Sequence, residues 1–394
     1  MISSLLLKPS GADCNLGCRY CFYRPKSGLY PRVRQPRMSL DTLREVVSQY
    51  MAYSRTEATS SPTEGPNGCA VSSHPAQPSE PPPAVFCWQG GEPTLMGVDF
   101  FRSAIALQKK HGESRQVVAN SLQTNAVLLD DEWARLFARY RFLVGLSLDG
   151  PAEIHDHYRV NLGGQPTHAQ VLKGKKALER QGVDHNALCM VTSLSVGKTR
   201  LIWDFLLAQK LEFLQFIPCL EPGDTPDGLA EYTVRPEEYG EFLCELFDLW
   251  WPEREHLHVR LFDDILAGLM DQEEVRSCEF RQRCGDYLVV EHNGDVYMCD
   301  FFVEADHRVG NLLQRPLAGL ATDPAFAAFA AAKGELAPAC SVCKYLTLCR
   351  GGCQKHRCFP AGCAKAPSYL CAGYRMFFEH SLQRLQQLRE SSQP

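Results

Sequence analysis

The chain has 394 residues, long enough for two domains, and its 45% hydrophobic and 22% charged composition is ordinary globular usage. A net charge of −5 with scattered basic residues argues against a nucleic-acid surface, and no run nears the ~18 apolar residues of a membrane span. The N-terminal "MISSLLLKPSGADC" lacks the basic region and apolar run of a signal peptide, so the 18 cysteines are expected in a reducing cytoplasm, as metal or redox ligands rather than bridges.

The first strand is expected at "SLLLKP" (4–9), followed by "CNLGCRYC" and then by a helix over "LDTLREVVSQYMAY", capped by Ser39. Residues 54–84 are rich in Pro, Ser and Thr and nearly empty of large apolar groups, which predicts a mobile surface insertion with Cys69 as a bystander. Further strands are expected at 84–89, 117–123, 142–148, 186–192 and 212–218. Helical patterns lie between most of them, one of them starting after Thr167 and stopping at Gly182. Strand–helix alternation implies a parallel sheet with right-handed crossovers; six units suit an open, incomplete barrel, with a doubly wound sheet as the alternative. The polar motifs "CNLGCRYC", "GGEP" (90–93), "TN" (124–125), "DGP" (149–151) and "CLEP" (219–222) all follow strands. They therefore gather at the C-terminal end of the sheet, where α/β barrels keep their active sites.

Beyond residue 234 the pattern changes. Pro236 opens an amphipathic helix, and Asn293-Gly294 between alternating runs predicts a tight hairpin ending at Cys299. The tail carries "CSVCKYLTLCRGGC" (340–353), Cys371 and a last helix. The expected organisation is a catalytic partial barrel over 1–234, a helical linker over 235–277 and a cysteine-rich domain over 278–394.

Cys14, Cys18 and Cys21 have the spacing C-x3-C-x2-C, one thiolate short of a closed zinc tetrahedron or a fully ligated [4Fe–4S] cube. A cube with one open iron can chelate a small molecule bearing an amine and a carboxylate. Eight tail cysteines suffice for two four-thiolate sites, and on their own they fit structural zinc as well as iron–sulfur clusters.

With "GGEP" after the second strand and Tyr20 before the third cysteine, the triad resembles the radical S-adenosylmethionine superfamily, and the tail resembles its SPASM subgroup. The motifs "CNLGCRYCFY", "WQGGEPTL", "LQTN", "SLDGP", "HDHYRVNLGGQPTH", "QFIPCLEP", "EHNGDVYMCDFFV" and "CRGGC" together resemble the anaerobic sulfatase-maturating enzymes. The resemblance implies a partial (β/α)6 barrel followed by a small SPASM-type domain with a β-hairpin and a C-terminal helix. It implies three [4Fe–4S] clusters: one on Cys14, Cys18 and Cys21, one on Cys278, Cys284, Cys299 and Cys353, and one on Cys340, Cys343, Cys349 and Cys371. Spacing alone does not divide the eight tail cysteines. S-adenosylmethionine contacts are implied at Tyr20, Gly91, Ser147, Arg159 and Leu220; without the resemblance Gly91 reads as a turn, Ser147 as a strand-end cap, Arg159 as a surface ion pair and Leu220 as a core residue.

The implied reaction oxidises a Cys or Ser of a nascent sulfatase, in a C/S-x-P-x-R motif, to Cα-formylglycine. A 5′-deoxyadenosyl radical abstracts hydrogen from Cβ, Asp300 serves as general base and the auxiliary clusters carry the electron away. On spacing alone Asp300 is rather an exposed or a cluster-orienting carboxylate. A low-potential donor such as flavodoxin or ferredoxin is implied as partner. Two other readings stand beside this one. Another SPASM peptide maturase would form thioethers or crosslinks, but the residues before Cys14 leave no room for the leader-peptide domain such enzymes commonly carry. A zinc-ribbon scaffold would hold two zinc ions and no iron.

Overall fold

The structure, a computed structural model, describes residues 2–56, 83–270, 275, 277–360 and 366–391. Most of the 54–84 insertion, with Cys69, lies outside the described residues, as does Cys363. The chain forms two compact units, each drawn from several stretches of sequence: Met1–Leu146, Val160–His185 and Gly285–Ala330 in the first; Ser147–Arg159, Asn186–Cys284 and Ala331–Pro394 in the second. Among the described residues no helix is long and apolar enough to cross a membrane.

In the first unit β1 (Ser4–Lys8) is buried along its whole length, as its nearly unbroken apolar run requires of a strand covered on both faces. It pairs in parallel with β2 (Ala84–Trp88), which leads through β3 (Val118–Thr124) to β4 (Leu143–Ser147), all parallel. Parallel neighbours need crossovers, and α1 (Leu40–Thr56), α2 (Val98–His111) and α3 (Asp131–Tyr140) supply them. The Ser39 hydroxyl accepts the Thr42 N–H at 3.0 Å, the cap the sequence predicts, and Asp130 caps α3 through the N–H groups of Glu132 and Trp133. Phe86, Trp88, Phe101, Phe137 and Phe142 fill the interior, and the Trp88 indole donates to Asn120 at 2.9 Å.

The expected tail hairpin is present as β8 (Tyr287–Glu291) and β9 (Asp295–Tyr297), with Gly294 at a φ of +85°. A further strand, β10 (Arg308–Asn311), continues it. The sequence does not predict where the hairpin docks. β8 lies parallel to β1 on the side away from β2, in a register that sets Lys8 level with Glu291. Residues almost three hundred positions apart thus share one sheet end.

In the second unit β5 (His185–Val191), β6 (Phe213–Pro218) and the two-residue β7 (His258–Val259) run parallel, with α4 (Thr199–Ala208) crossing between the first two. α5 (Pro236–Trp250) packs along the C-terminal helix Cys371–Ser391, with the Phe247 and Phe377 rings 5.9 Å apart. The short strands β7 and β10 offer too few residues for a periodic signal, and sequence reasoning misses them.

Candidate active site

The loop leaving β1 carries the triad, and two neighbouring loops shape it. Gly17 donates to the Val160 carbonyl at 2.8 Å and Leu16 bridges Asn161, which pins the stretch between Cys14 and Cys18. From the end of β2, Gly91 and Glu92 donate their N–H groups to Gly11 and Asp13 at 2.7 and 2.9 Å. A Cβ at position 91 would stand 1.9 Å from the Asp13 carbonyl oxygen, so only glycine allows this contact between loops.

Glu92 is 1% exposed and accepts from the Thr94 N–H and hydroxyl, the Thr124 hydroxyl and the Asn125 N–H, at 2.6–3.0 Å. Burial raises its carboxyl above the ordinary range, against these four hydrogen bonds. The Asn125 amide in turn reaches the Cys14 sulfur at 3.7 Å and Asn15 at 2.8 Å. "GGEP" and "TN" are thereby one buried brace under the cysteine loop. The sequence offers both motifs but not this link between them.

The Cys14 thiol is pushed up to about 12 by burial first, then by Glu92, Cys18 and Cys21, while the Leu16 N–H opposes the shift. A thiol raised in this way becomes a stable thiolate only beside positive charge. An iron–sulfur cluster supplies that charge, and the donor set fits it.

Asp300 follows Cys299 at the end of β9, and the pairing of β8 with β1 brings both to the triad loop. The Asp300 carboxylate lies 2.6 Å from the Lys8 Nζ. Lys8 is 1% exposed, and its ammonium also stands over the Tyr23 ring, 4.2 Å from the centroid. The Tyr23 hydroxyl donates to Glu291, and burial with the charges of Glu291 and Asp300 holds it protonated. Phe22, next to Cys21, packs its ring 5.2 Å from that of Phe301. The Tyr287 hydroxyl sits 3.3 Å from the Cys299 sulfur. Sequence reasoning misses Lys8, whose only signal is a lysine closing an otherwise apolar strand that proves buried.

The remaining cofactor candidates divide between the units. Tyr20 is buried in the first, beside the triad; Ser147, half-buried at the end of β4, Arg159 and Leu220 belong to the second. Arg159 forms a buried, two-point pair with Asp149 at 2.9 and 3.1 Å, and Asp149 also accepts the Met190 N–H at 3.0 Å. Leu220 is 1% exposed directly after β6.

All eleven candidate ligand cysteines are free of disulfides. Cys87 is not: it is disulfide-bonded, so the expectation of ligands rather than bridges fails at that position. In the second unit burial and then the charges of Cys343, Cys371 and Cys340 push the Cys349 thiol up to about 11. Cys278, Cys284 and Cys353 share that unit, with Gln354 reaching the Cys284 sulfur at 3.7 Å, and Cys299 belongs to the first.

Comparisons agree with this arrangement. The SPASM iron–sulfur cluster-binding domain matches residues 278–344, and the radical SAM superfamily matches 79–199. The cysteine-type anaerobic sulfatase-maturating enzyme of Clostridium perfringens is 32% identical over 97% of both chains. The serine-type enzyme of Bacteroides thetaiotaomicron is also 32% identical, over 95% of this chain and 88% of its own. A solved structure of native anSMEcpe with bound AdoMet and Cp18Cys peptide superposes with a TM-score of 0.84 at 31% identity, over 99% of each chain. With this fold, a partial barrel joined to a SPASM domain, and these motifs over nearly its full length, the chain belongs to the anaerobic sulfatase-maturating enzymes, radical SAM oxidoreductases with iron–sulfur clusters.

Proposed function

We propose that this enzyme oxidises a Cys or Ser side chain of a sulfatase polypeptide, in a C/S-x-P-x-R motif, to Cα-formylglycine. The observation that carries the reading is the carboxylate of Asp300, adjoining Cys299 and held 2.6 Å from buried Lys8 beside the triad loop. Making an aldehyde from this side chain removes two electrons and two protons. When bound, S-adenosylmethionine and the clusters supply the one-electron chemistry: hydrogen-atom removal from Cβ and an exit for the second electron. Asp300 takes the remaining proton, from the thiol or hydroxyl, and Lys8 holds the carboxylate in position. For a Cys substrate, water then replaces sulfur at the oxidised carbon and sulfide leaves.

Cys14, Cys18 and Cys21 would hold the cube that binds the cofactor, and Tyr20, Gly91, Ser147, Arg159 and Leu220 would contact it. Two further cubes would rest on Cys278, Cys284, Cys299 and Cys353 and on Cys340, Cys343, Cys349 and Cys371. The functional division is then a catalytic barrel over 1–234, a linker over 235–277 and a SPASM domain over 278–394. A cytoplasmic flavodoxin or ferredoxin would deliver the electron. The relatives of both types, at equal identity, support a sulfatase substrate without favouring Cys or Ser.

The test is anaerobic incubation with reductant, S-adenosylmethionine and two peptides, one with Cys and one with Ser at the target position, read by mass. Aldehyde formed together with 5′-deoxyadenosine, by enzyme carrying ~12 irons at four per cube, is the expected result. A thioether or crosslinked product, or two zinc ions in place of iron, would overturn the reading.

A further inference from the structure

Arg357 is 2% exposed, on a one-turn helix just after Cys353. Its guanidinium is bound wholly by main chain: Nε donates to the Gly351 carbonyl at 2.9 Å, Nη1 to Lys333 and Glu335 at 2.8 and 3.1 Å, and Nη2 to Arg350 at 2.8 Å. Arg350 and Gly351 form the turn that joins Cys349 to Cys353, and Lys333 and Glu335 lie on the stretch leading to Cys340. Gly351 is fitted to this cation, since a Cβ there would come within 2.5 Å of Nη2. Burying a full charge is costly unless an opposite charge lies near, and carbonyls offer only partial charge. Burial works against the charge of the guanidinium, and the groups that favour it are the thiols of Cys340, Cys353, Cys284 and Cys349. Two of these belong to each of the proposed tail clusters.

The second buried cation of the region, Lys333, is differently placed. Its ammonium donates to the Cys278 and Glu279 carbonyls, and its charge acts on buried Glu279, which is also held by His356 and Tyr374 at 3.1 and 2.6 Å. Lys333 is therefore matched by a carboxylate, although its charge also acts on the Cys353 thiol, whereas the hydrogen bonds of Arg357 all go to main-chain carbonyls of the turn between Cys349 and Cys353 and of the stretch leading to Cys340.

We propose that Arg357 is a positioning residue shared by the two tail clusters, a fixed counter-cation that makes both easier to reduce and so fits them to receive the electron released during turnover. The inference rests on the assignment of the eight tail cysteines above. A four-thiolate [4Fe–4S] cluster is an anion, and net charge and hydrogen bonding near its sulfurs set its potential. A planar, always-charged fork holding four carbonyls cannot move or deprotonate to escape that role.

The test compares full-length Arg357→Gln and Arg357→Lys with wild type, reconstituted anaerobically, by iron content and by redox titration followed by electron paramagnetic resonance. With iron matched, Arg357→Gln should shift both tail clusters to lower potential while the triad cube stays unchanged. The expected size is at least tenfold in the ratio of reduced to oxidised cluster at the wild-type midpoint, ~59 mV for a one-electron couple. Arg357→Lys, which keeps the charge, should restore most of the shift. Unmoved tail potentials in Arg357→Gln would overturn the proposal, as would equal loss of tail iron from both variants, which would make the role purely structural. If Arg357→Gln alone loses tail iron, Arg357→Lys decides: potentials within ~59 mV of wild type support the proposal and a larger shift overturns it. Wild-type enzyme with only ~4 irons per chain would instead refute the assignment of the tail clusters themselves.

Discussion

Asp300→Asn is the substitution that most directly tests the chemistry. The side chain keeps its shape and loses its ability to take a proton. Removing a general base slows the step it serves by ~10²–10⁴-fold, which is about 2.7–5.4 kcal/mol of barrier at ~1.36 per decade. The structure adds a second consequence, because Asp300 is paired to Lys8 at 2.6 Å with side-chain exposures of 16% and 2%. Deleting one partner of a buried pair costs ~3–5 kcal/mol; the partial exposure of Asp300 and the remaining amide oxygen place this variant at or below the low end, about 3 kcal/mol. The two consequences separate in a double variant. Asp300→Asn with Lys8→Met leaves no stranded cation, so it should recover most of the lost stability and none of the activity. The assay counts 5′-deoxyadenosine and formylglycine under anaerobic conditions, with iron content matched. Asp300→Asn should still form 5′-deoxyadenosine while formylglycine falls by at least ~10²-fold. Wild-type formylglycine yield in that variant, or activity regained in the double variant, would refute the assignment of the base.

Gly91→Ala should prevent loading of the triad cube, because the new methyl group would meet the Asp13 carbonyl at 1.9 Å; loss of about a third of the iron with the tail clusters retained is the expected reading. Cys14→Ala, Cys18→Ala and Cys21→Ala should each abolish 5′-deoxyadenosine formation and spare the tail clusters, and full cofactor cleavage by any of them would contradict the site. Glu92→Gln places an amide NH2 among the donors that Glu92 now accepts from, and should lower stability by ~1–3 kcal/mol in thermal unfolding. The same residue predicts a pH dependence. Its carboxyl is raised in the folded state, so its contribution is fully present below the unfolded carboxyl value of ~4.3 and is lost as pH rises through the raised value. The Gln variant should lack that slope.

Much of the molecule can be read from the chain alone, because the signals are local. Six strands fall where short apolar runs stand between helical patterns, and Ser39 caps its helix because hydroxyl and N–H are three residues apart. The cysteine spacing proposes Cys14, Cys18 and Cys21 as ligands of one group, because all three lie in a single loop. Other features depend on distance in space. Asp300 meets Lys8 only because β8 pairs with β1, and backbone hydrogen bonds between strands leave no mark in either sequence. Gly91 reads as a turn until the Asp13 carbonyl is seen to fill the space of a side chain. Arg159 and Arg357 are plain arginines in the sequence. Burial makes one the partner of Asp149 and sets the other among the cysteine thiols, because a charge taken out of water is defined by what surrounds it.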